Sequence, residues 1–422
     1  MSTKNSKIFV NSEIGTLKRV IVHKPDLGIS RISPKRAEEL LFDDIVHLPK
    51  MQEEHDIFTD ILKLFVGKNN VFDTEQLLVE ALDTKSKYKE EMLTLIIGHQ
   101  ELPKRYYDIL DKLSSKKLAE VLISGYYKEK DIYLFDPIPN FIFTRDIAVT
   151  VKDYIIITKP FKTARFRENI LTRFFIHAHP IFADILKAGK IINLNDVELF
   201  PPSTTGEAIS MEGGDMMMLE DDYLLIGCSE RTSEHAIHSL KKVLFEKKVI
   251  KYVVQINIPN DRSFMHIDTL FTRISQNHIV AFKPVVVDGL SSNVTIYSHN
   301  GTSRQYLTIK DFFHSEINPE MEFILSGNGI SPYQEREQWT DGCNLIALKS
   351  GVGITYDRNP YTAIAFENMG YTIIHAEDFL KGVKSKKIDV DALENTIITL
   401  PSSELSRARG GSHCMTFPIE RD

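Results

Sequence analysis

The sequence repeats a pattern of strand, short turn and strand, and this repeat limits the fold more than any other feature. Apolar segments on either side of polar turns predict four hairpins, spaced by roughly 55 to 70 residues. The predicted strand pairs are 146–151 with 154–158, 215–219 with 223–226 across a turn at 220–222, 269–274 with 278–282, and 344–348 with 353–356. A strand over 17–22 marks a further unit, and amphipathic helices such as 236–245 follow several hairpins. Such units favour a radial α/β arrangement in which matching points of each unit meet near a central axis.

One segment, 73–130, departs from the repeat. Apolar residues recur there at helical spacing, Asp73 is placed to cap the first helix, and Gly125 is placed to stop the last. We therefore predict a small helical subdomain over 73–130, inserted into a larger α/β domain that comprises 1–72 and 131–422.

The charge balance and the cysteines exclude several classes of protein. Lys and Arg number 51 against 58 Asp and Glu, a net charge of −7, which gives no basic footprint for nucleic acid. The three cysteines, Cys228, Cys343 and Cys414, are widely spaced, which is not typical of a disulfide framework or a zinc ribbon. No apolar run approaches the ~20 residues of a membrane span, and the first residues do not resemble a secretion signal. We predict a cytoplasmic protein with no nucleic-acid or membrane partner.

Polar residues gather at one place in each unit, just before the first strand of the hairpin. They are Asn140, Arg145 and Asp146, then Glu212 and Asp215, then His266 and Asp268, then Asp341 and Asn344, and finally Arg409, His413 and Cys414. A radial fold would bring these groups together. Carboxylates can take the N–H forks of a guanidinium group, and arginines suit a carboxylate at the other end of a ligand. A molecule with a guanidinium at one end and a carboxylate at the other is arginine.

A single thiol in this set suggests a nucleophile. Cys414 would react as the thiolate, and we expect Arg409, a histidine and the bound cation to favour its ionisation. Taken alone, a cysteine of this kind is more often a packed residue. Its occurrence at a point equivalent to the other polar groups favours the catalytic interpretation.

The remaining reacting groups follow from the chemistry of a guanidinium. His266 is the expected general acid and base, and Glu212 is expected to hold the tautomer of its imidazole. Asp146 and Asp268 are expected to bind and polarise the guanidinium. A histidine and an aspartate in this spacing are more often a strand pair, so this assignment also depends on the joint occurrence of the groups.

Several motifs resemble those of the bacterial arginine deiminases, members of the guanidino-group modifying enzyme superfamily. They are 12–18, 41–44, 54–56, 139–146, 211–215, 266–268 and 409–415. The resemblance runs from about residue 10 to the end of the chain, in many separate motifs. One departure is Ser412, which stands where relatives often have a third glycine and is expected to affect the mobility of the Cys414 loop.

The resemblance implies a fold and a site. The fold is a five-bladed, pseudo-symmetric α/β propeller (pentein-like) with a helical insertion. The catalytic residues are the five already named, Cys414, His266, Glu212, Asp146 and Asp268. Asn140, Phe143, Arg145, Asp215, Arg231 and Arg409 are implied as substrate-binding residues, with the three arginines at the carboxylate end.

The implied reaction is hydrolysis of free L-arginine to citrulline and ammonia through a covalent thiouronium on Cys414, in arginine catabolism. No metal or organic cofactor is predicted, and a homodimer or higher homo-oligomer is expected. Three alternatives stay open from the sequence. They are a related enzyme for agmatine or a methylated arginine, an amidinotransferase, and a non-catalytic relative. Three arginines facing a carboxylate argue against agmatine, and no reacting group is missing.

Overall fold

The computed structural model describes residues 7–220 and 222–422 of the chain. Residues 1–6, where we predicted no secretion signal, and Asp221, within the predicted turn of the second hairpin, lie outside the described residues. In the described ranges no helix has both the length and the apolar character needed to cross a membrane.

The described residues form a mixed α/β structure whose strands and helices alternate along the chain. The strands are β1 (Leu17–Val22), β2 (Val71–Asp73), β3 (Tyr126–Tyr127), β4 (Ile132–Tyr133), β5 (Ala148–Val151), β6 (Tyr154–Ile157), β7 (Ile191–Asn193), β8 (Met216–Glu220), β9 (Tyr223–Cys228), β10 (Tyr252–Asn257), β11 (Phe271–Arg273), β12 (His278–Ala281), β13 (Asn293–Ser298), β14 (Ser303–Tyr306), β15 (Glu322–Leu325), β16 (Ile346–Lys349), β17 (Val352–Tyr356), β18 (Thr372–His375), β19 (Thr396–Leu400) and β20 (Phe417–Arg421). The helices are α1 (Leu48–Val66), α2 (Thr74–Asp83), α3 (Tyr88–His99), α4 (Arg105–Asp111), α5 (Ser115–Ser124), α6 (Phe166–Ala178), α7 (Ala183–Lys187), α8 (Glu234–Glu246), α9 (Lys283–Val286), α10 (Ile309–Phe312), α11 (Tyr333–Trp339), α12 (Pro360–Asn368) and α13 (Ala376–Lys384).

Five of the sheets contain the same three-stranded arrangement, which we call the sheet core. In each, two strands form an antiparallel pair, and a third strand runs parallel to one of them. In strand order these cores are β20-β1-β2, β5-β6-β7, β8-β9-β10, β11-β12-β15 and β16-β17-β19. The four predicted hairpins are confirmed as β5/β6, β8/β9, β11/β12 and β16/β17. The first unit takes its second strand from the other end of the chain, since β1 pairs with β20.

The third strand of each core was not predicted. A parallel strand follows a crossover rather than a tight turn, so no turn residues mark it in the sequence. The strands are nearly continuous apolar runs because helices cover them, as in β9, where Leu224, Leu225 and Ile226 are all buried. The predicted helix over 236–245 is confirmed as α8, which buries one apolar stripe.

The helical segment begins and ends as its sequence indicated. Asp73 caps α2 by accepting a hydrogen bond from the backbone N–H of Glu75 at 2.9 Å. Gly125 ends α5 in the left-handed conformation, with φ of +72°. Helices α2 to α5 share one hydrophobic cluster with α6 and the sheet of β5 and β6. The division into separate domains at 73–130 stays a prediction.

Candidate active site

Short turns precede the first strand of each antiparallel pair, and these turns carry the polar residues singled out in the sequence. The turns include the 3-10 segments Pro139–Ile142, Gly213–Asp215 and Ile267–Thr269, followed by 341–344 and 411–416. The chain turns at these positions because they are rich in Gly, Asp and Asn, which readily adopt turn conformations. A polar side chain just before such a strand is therefore held close to rigid structure.

Hydrogen bonds connect each of the five turns to the next in a closed series. They run from Arg145 N to Cys414 O (3.0 Å), from Cys414 N to Asn344 Oδ1 (3.1 Å), from Asn344 Nδ2 to Asp268 O (3.1 Å), from Ile267 N to Asp215 Oδ1 (3.0 Å), and from Gly213 N to Asp146 O (3.2 Å). The series returns to the turn from which it starts. The equivalent points of the five units therefore meet in one place.

The imidazole of His266 lies between two carboxylates. Its Nε2 is 3.1 Å from Glu212 Oε2, and its Nδ1 is 3.8 Å from Asp146 Oδ1. Burial alone would lower the pKa of His266, but the charge of Asp146 and the hydrogen bond to Glu212 outweigh it and raise the pKa to about 10. The resting imidazole is therefore protonated at neutral pH and can donate a proton.

Arg165 is a site residue that the sequence analysis missed. Its Nη1 donates to Asp146 Oδ2 at 2.5 Å and to Glu212 Oε2 at 3.3 Å, while its Nε donates to Glu168 at 2.8 Å. Asp146, Glu212 and His266 offer ligand atoms within 4.8 Å of one another, and the guanidinium of Arg165 supplies a cation there. Arg165 opens an ordinary helix and has no position in the repeat, so no local signal identified it.

Cys414 lies within reach of an amide and a carboxylate. Asn344 Nδ2 donates to its Sγ at 3.2 Å, and Asp268 Oδ2 lies 3.5 Å from the same sulfur. Burial raises the pKa of the Cys414 thiol well above its usual value, and nearby carboxylates, Asp268 first, act in the same direction. The expectation that Arg409 and a histidine favour ionisation was wrong for the resting site, because carboxylates surround the thiol. The cationic substrate is the remaining source of that effect.

The loop that carries Cys414 is anchored by Ser412. Its Oγ donates to the carbonyl of Ile354 at 2.5 Å and accepts from the N–H of Ile346 at 3.1 Å. These are strand residues of β17 and β16. A glycine at this position would lack both contacts, so the serine ties the loop to the neighbouring sheet.

On the side away from the cavity, Asp268 contacts a second buried series of polar residues. His413 Nδ1 lies 2.8 Å from Asp268 Oδ2, His413 Nε2 lies 3.2 Å from Glu13 Oε2, and Arg145 Nη1 donates to Glu13 at 3.4 Å. Burial would raise the pKa of Glu13, but Arg145 and His413 lower it to about 2. The series orients the Asp268 carboxylate beside the thiol.

Most of the predicted site residues line one cavity. Those that line it are Asn140, Phe143, Asp146, Glu212, Arg231, His266, Arg409 and Cys414, together with Arg165, Arg262, Asp43, Leu41, Met265, Thr269 and Ala408. Three predicted residues do not line it. Arg145 contacts Glu13, Asp268 lies between the thiol and His413, and Asp215 accepts from Ser229 Oγ at 2.6 Å.

Two of the predicted arginines, Arg231 and Arg409, line the same cavity as Cys414. Arg231 Nη1 is 3.7 Å from Glu212 Oε1, and Arg409 Nη1 is 3.9 Å from Asp43 Oδ2. The Nε atoms of Arg231 and Arg409 are buried and make no hydrogen bond with the described residues. Buried donors without acceptors are costly, and a ligand carboxylate would satisfy them.

Two solved structures share the overall fold of this chain. An amidinotransferase of saxitoxin biosynthesis from Microseira wollei superimposes with a TM-score of 0.53 at 12% identity, covering 98% of this chain and 97% of that one. The product-bound N-terminal domain of a cyanobacterial arginine dihydrolase gives a TM-score of 0.51 at 12% identity, covering 96% and 97%. These similarities place the chain in the α/β fold that such enzymes share.

The sequence comparisons are more specific. The family model described as arginine deiminase matches residues 38–125 and 109–421. The arginine deiminase of Limosilactobacillus fermentum is 32% identical over 99% of both chains, and that of Staphylococcus aureus strain JH9 is 33% identical over 98% of both. The chain belongs to the arginine deiminase family of hydrolases.

Proposed function

We propose that the chain hydrolyses free L-arginine to L-citrulline and ammonia through a covalent thiouronium on Cys414, and that it serves arginine catabolism. One observation carries the proposal. A buried thiol, a histidine held by two carboxylates, and arginines with unsatisfied donors all border one cavity. Its two ends match the two ends of arginine in charge.

The first half of the reaction starts when the guanidinium enters between Asp146 and Asp268. Its positive charge offsets part of the negative charge of the carboxylates around Cys414. The pKa of the thiol therefore falls, and the thiol proton is lost to solvent. The thiolate adds to the guanidinium carbon. His266, protonated in the resting site, gives its proton to the leaving amino group, and ammonia departs.

The second half uses the imidazole in its neutral form. His266 takes a proton from water, and the hydroxide adds to the thiouronium carbon. The hydroxyl proton of the adduct then passes to the departing sulfur as the C=O bond forms and the C–S bond breaks, which releases citrulline and restores the Cys414 thiol. The cationic intermediate is stabilised by fixed carboxylates aimed at the reacting carbon, which cost no reorganisation during the reaction.

The carboxylate of arginine is proposed to meet Arg231 and Arg409, with Asn140 and Phe143 shaping the cavity. Arg165 takes the place that the sequence analysis gave to Arg145, since Arg165 borders the cavity and Arg145 does not. Asp215 is proposed to act behind His266, because it accepts from the N–H of Ile267. Burial raises the pKa of Asp215 to about 6.

Broader features belong to the same proposal. The closed series of turn-to-turn hydrogen bonds and the five equivalent sheet cores support a five-bladed α/β propeller with a helical subdomain over 73–130. We also propose a cytoplasmic location, a homodimer or higher homo-oligomer, and a reaction that needs no metal or organic cofactor.

The test is a citrulline and ammonia assay on the purified chain with L-arginine alone, under reducing conditions. We expect the two products in equal amounts, and we expect Cys414→Ser to lower kcat by at least about a thousand-fold while the melting temperature changes little. Absence of citrulline across several pH values would contradict the proposal.

Parallel reactions separate the alternatives. Agmatine and dimethylarginine replace arginine in two of them, and glycine is added as an amine acceptor in a third. Faster turnover of agmatine or dimethylarginine would move the assignment to that substrate. Guanidinoacetate formed from glycine in place of citrulline would make the enzyme an amidinotransferase.

A further inference from the structure

Trp339, the single tryptophan of the chain, ends α11 beside the cavity without lining it. Its indole ring lies under the guanidinium of Arg409, with 3.3 Å from Arg409 Cζ to the ring centroid. The Trp339 side chain is large, apolar and 41% exposed. A cation packed flat on an indole face at this distance is a strong cation–π contact.

Arg409 is held in an unusual way. Its backbone has φ of +61°, the left-handed region that non-glycine residues rarely adopt. The residue is only 8% exposed, and its Nε and Nη1 make no hydrogen bond with the described residues. The packing on Trp339 is therefore a direct contact that orients the guanidinium, beside the charges of Asp341 and Asp43, and it leaves the Nε and Nη1 donors without acceptors.

A carboxylate of the protein competes for the same guanidinium. Asp43 Oδ2 lies 3.9 Å from Arg409 Nη1, while Asp43 Oδ1 accepts from Arg262 Nη2 at 2.5 Å. The free Oδ2 of Asp43 is close enough to form a direct ion pair after a small rotation of Arg409. Such a pair would occupy the donors that a ligand carboxylate needs.

We propose that Trp339 is a positioning residue for Arg409 and so for the carboxylate of the substrate. The inference rests on the proposed function. The indole face holds the guanidinium in the orientation that receives the carboxylate and keeps it from closing on Asp43. Because Trp339 does not touch the reacting atoms, it acts on KM and leaves kcat nearly unchanged.

The experiment measures kcat and KM for L-arginine in wild type and in Trp339→Tyr, Trp339→Phe and Trp339→Leu. Cation–π attraction weakens from Trp to Tyr and Phe and is absent in Leu. We expect KM to rise in that order, reaching roughly five- to thirty-fold in Trp339→Leu, with kcat within about two-fold of wild type. The graded series contains conservative variants that keep an aromatic face, so the test survives if the leucine variant fails to fold.

Tyr333→Leu is the matched control. Tyr333 is on the same helix, is 37% exposed and stacks on Tyr361 at 4.0 Å between ring centroids, away from Arg409. Tyr333→Leu removes a comparable aromatic contact from the protein surface, and we expect its KM for L-arginine to equal that of wild type. Equal rises in KM for Tyr333→Leu and Trp339→Leu would assign the effect to α11 as a whole and overturn the inference.

A double-variant cycle adds a second readout. With Arg409→Lys already present, Trp339→Leu should raise KM much less than it does in wild type, because the stacked guanidinium is gone. Additive effects of the two changes would contradict the inference.

Failure of the proposed function and failure of this inference are distinguishable. The first is seen as wild type that releases no citrulline, and the second as Trp339→Leu that makes citrulline with wild-type KM. If wild type makes no citrulline, the dissociation constant for L-arginine is measured by calorimetry. Equal values in wild type and Trp339→Leu then overturn the inference.

Discussion

The two ends of the cavity are built from different kinds of structure. At the proposed guanidinium end, Asp146, Glu212, His266 and Cys414 sit on short turns that lead into the edge strands β5, β8, β11 and β20. All four are at most 6% exposed. At the proposed carboxylate end, Arg409 packs on Trp339 at a helix end and lies near Asp43, in the segment before α1.

The difference reflects what each end has to do. Bond making requires groups held to within a fraction of an ångström, and turns packed against strands supply that rigidity. Binding a carboxylate depends on charge and on hydrogen-bond donors. These interactions tolerate larger changes of position, so the residues can be held by less rigid segments. Substitutions at the first end should therefore change kcat, and substitutions at the second should change KM.

The largest effect is expected from Asp146→Asn. The amide cannot hold a guanidinium by charge, and it leaves Arg165 and the protonated His266 with one counter-ion fewer in a buried site. We expect kcat/KM for L-arginine to fall by about a thousand-fold. The measurement is steady-state citrulline release, with the melting temperature recorded for the same sample.

Arg231→Lys is the corresponding change at the carboxylate end. It keeps the charge but loses the planar fork. A rise in KM of about ten-fold with kcat within about three-fold is expected. If Arg231→Lys lowered kcat as much as Asp146→Asn does, the contrast between the two ends would not hold.

The next effect concerns stability and pH. The folded pKa of His266, about 10, lies above the unfolded value of 6.5. The contribution of the protonated His266 to the free energy of unfolding is therefore fully present below pH 6.5 and is lost as the pH rises through 10. The difference in unfolding free energy between wild type and His266→Asn should shrink by about 3 kcal/mol between pH 6.5 and pH 9. Urea titrations at the two pH values measure it.

An arginine from the other end provides the reference. Arg231→Gln should cost the same stability at both pH values, because a guanidinium does not titrate in this range. A constant difference for His266→Asn would mean that His266 is not held as the imidazolium.

A further substitution tests how closely the turns pack. A Cβ at Gly214 would lie 2.5 Å from His266 Nδ1, 2.8 Å from its Cγ and 3.1 Å from Asp146 Oδ1. Glu212 holds the other side of the ring, so the imidazole must shift. Gly214→Ala should lower kcat by roughly thirty-fold, which is about 2 kcal/mol of lost transition-state stabilisation.

Gly98→Ala is the control for that substitution. Gly98 lies in α3, and a Cβ there meets no atom within 4 Å. We expect unchanged kcat and a gain in stability of about 0.5 to 1 kcal/mol. Wild-type kcat in Gly214→Ala would show that the turns at the guanidinium end are looser than their contacts indicate.

The guanidinium end was accessible from the sequence because its residues recur at one point of a repeated unit. Asp146, Glu212 and His266 each stand just before the first strand of a predicted hairpin, and hairpins have turn residues that mark them. Cys414 stands at the equivalent point before β20. The parallel strands β7, β10, β15 and β19 were missed because a crossover leaves no such mark.

Other residues had no local signal at all. Arg165 is 19 residues from Asp146 and 47 from Glu212 in sequence, and it stands at an ordinary helix start. Arg145, adjacent to Asp146, was the arginine favoured by sequence. The two residues lie in one turn, where Asp146 lines the cavity and Arg145 contacts Glu13 behind it.

The sequence by itself determined the repeating hairpins, the helical segment after Asp73 and the reacting groups around Cys414. These follow from periodicity, turn chemistry and residue type, which are local properties. Only the tertiary structure decided that Arg165 rather than Arg145 lines the cavity, that Trp339 packs on Arg409, and that burial, together with nearby carboxylates, raises the pKa of the Cys414 thiol. Those outcomes depend on distances between residues far apart in the chain and on burial, and neither is set until the sheets pack together.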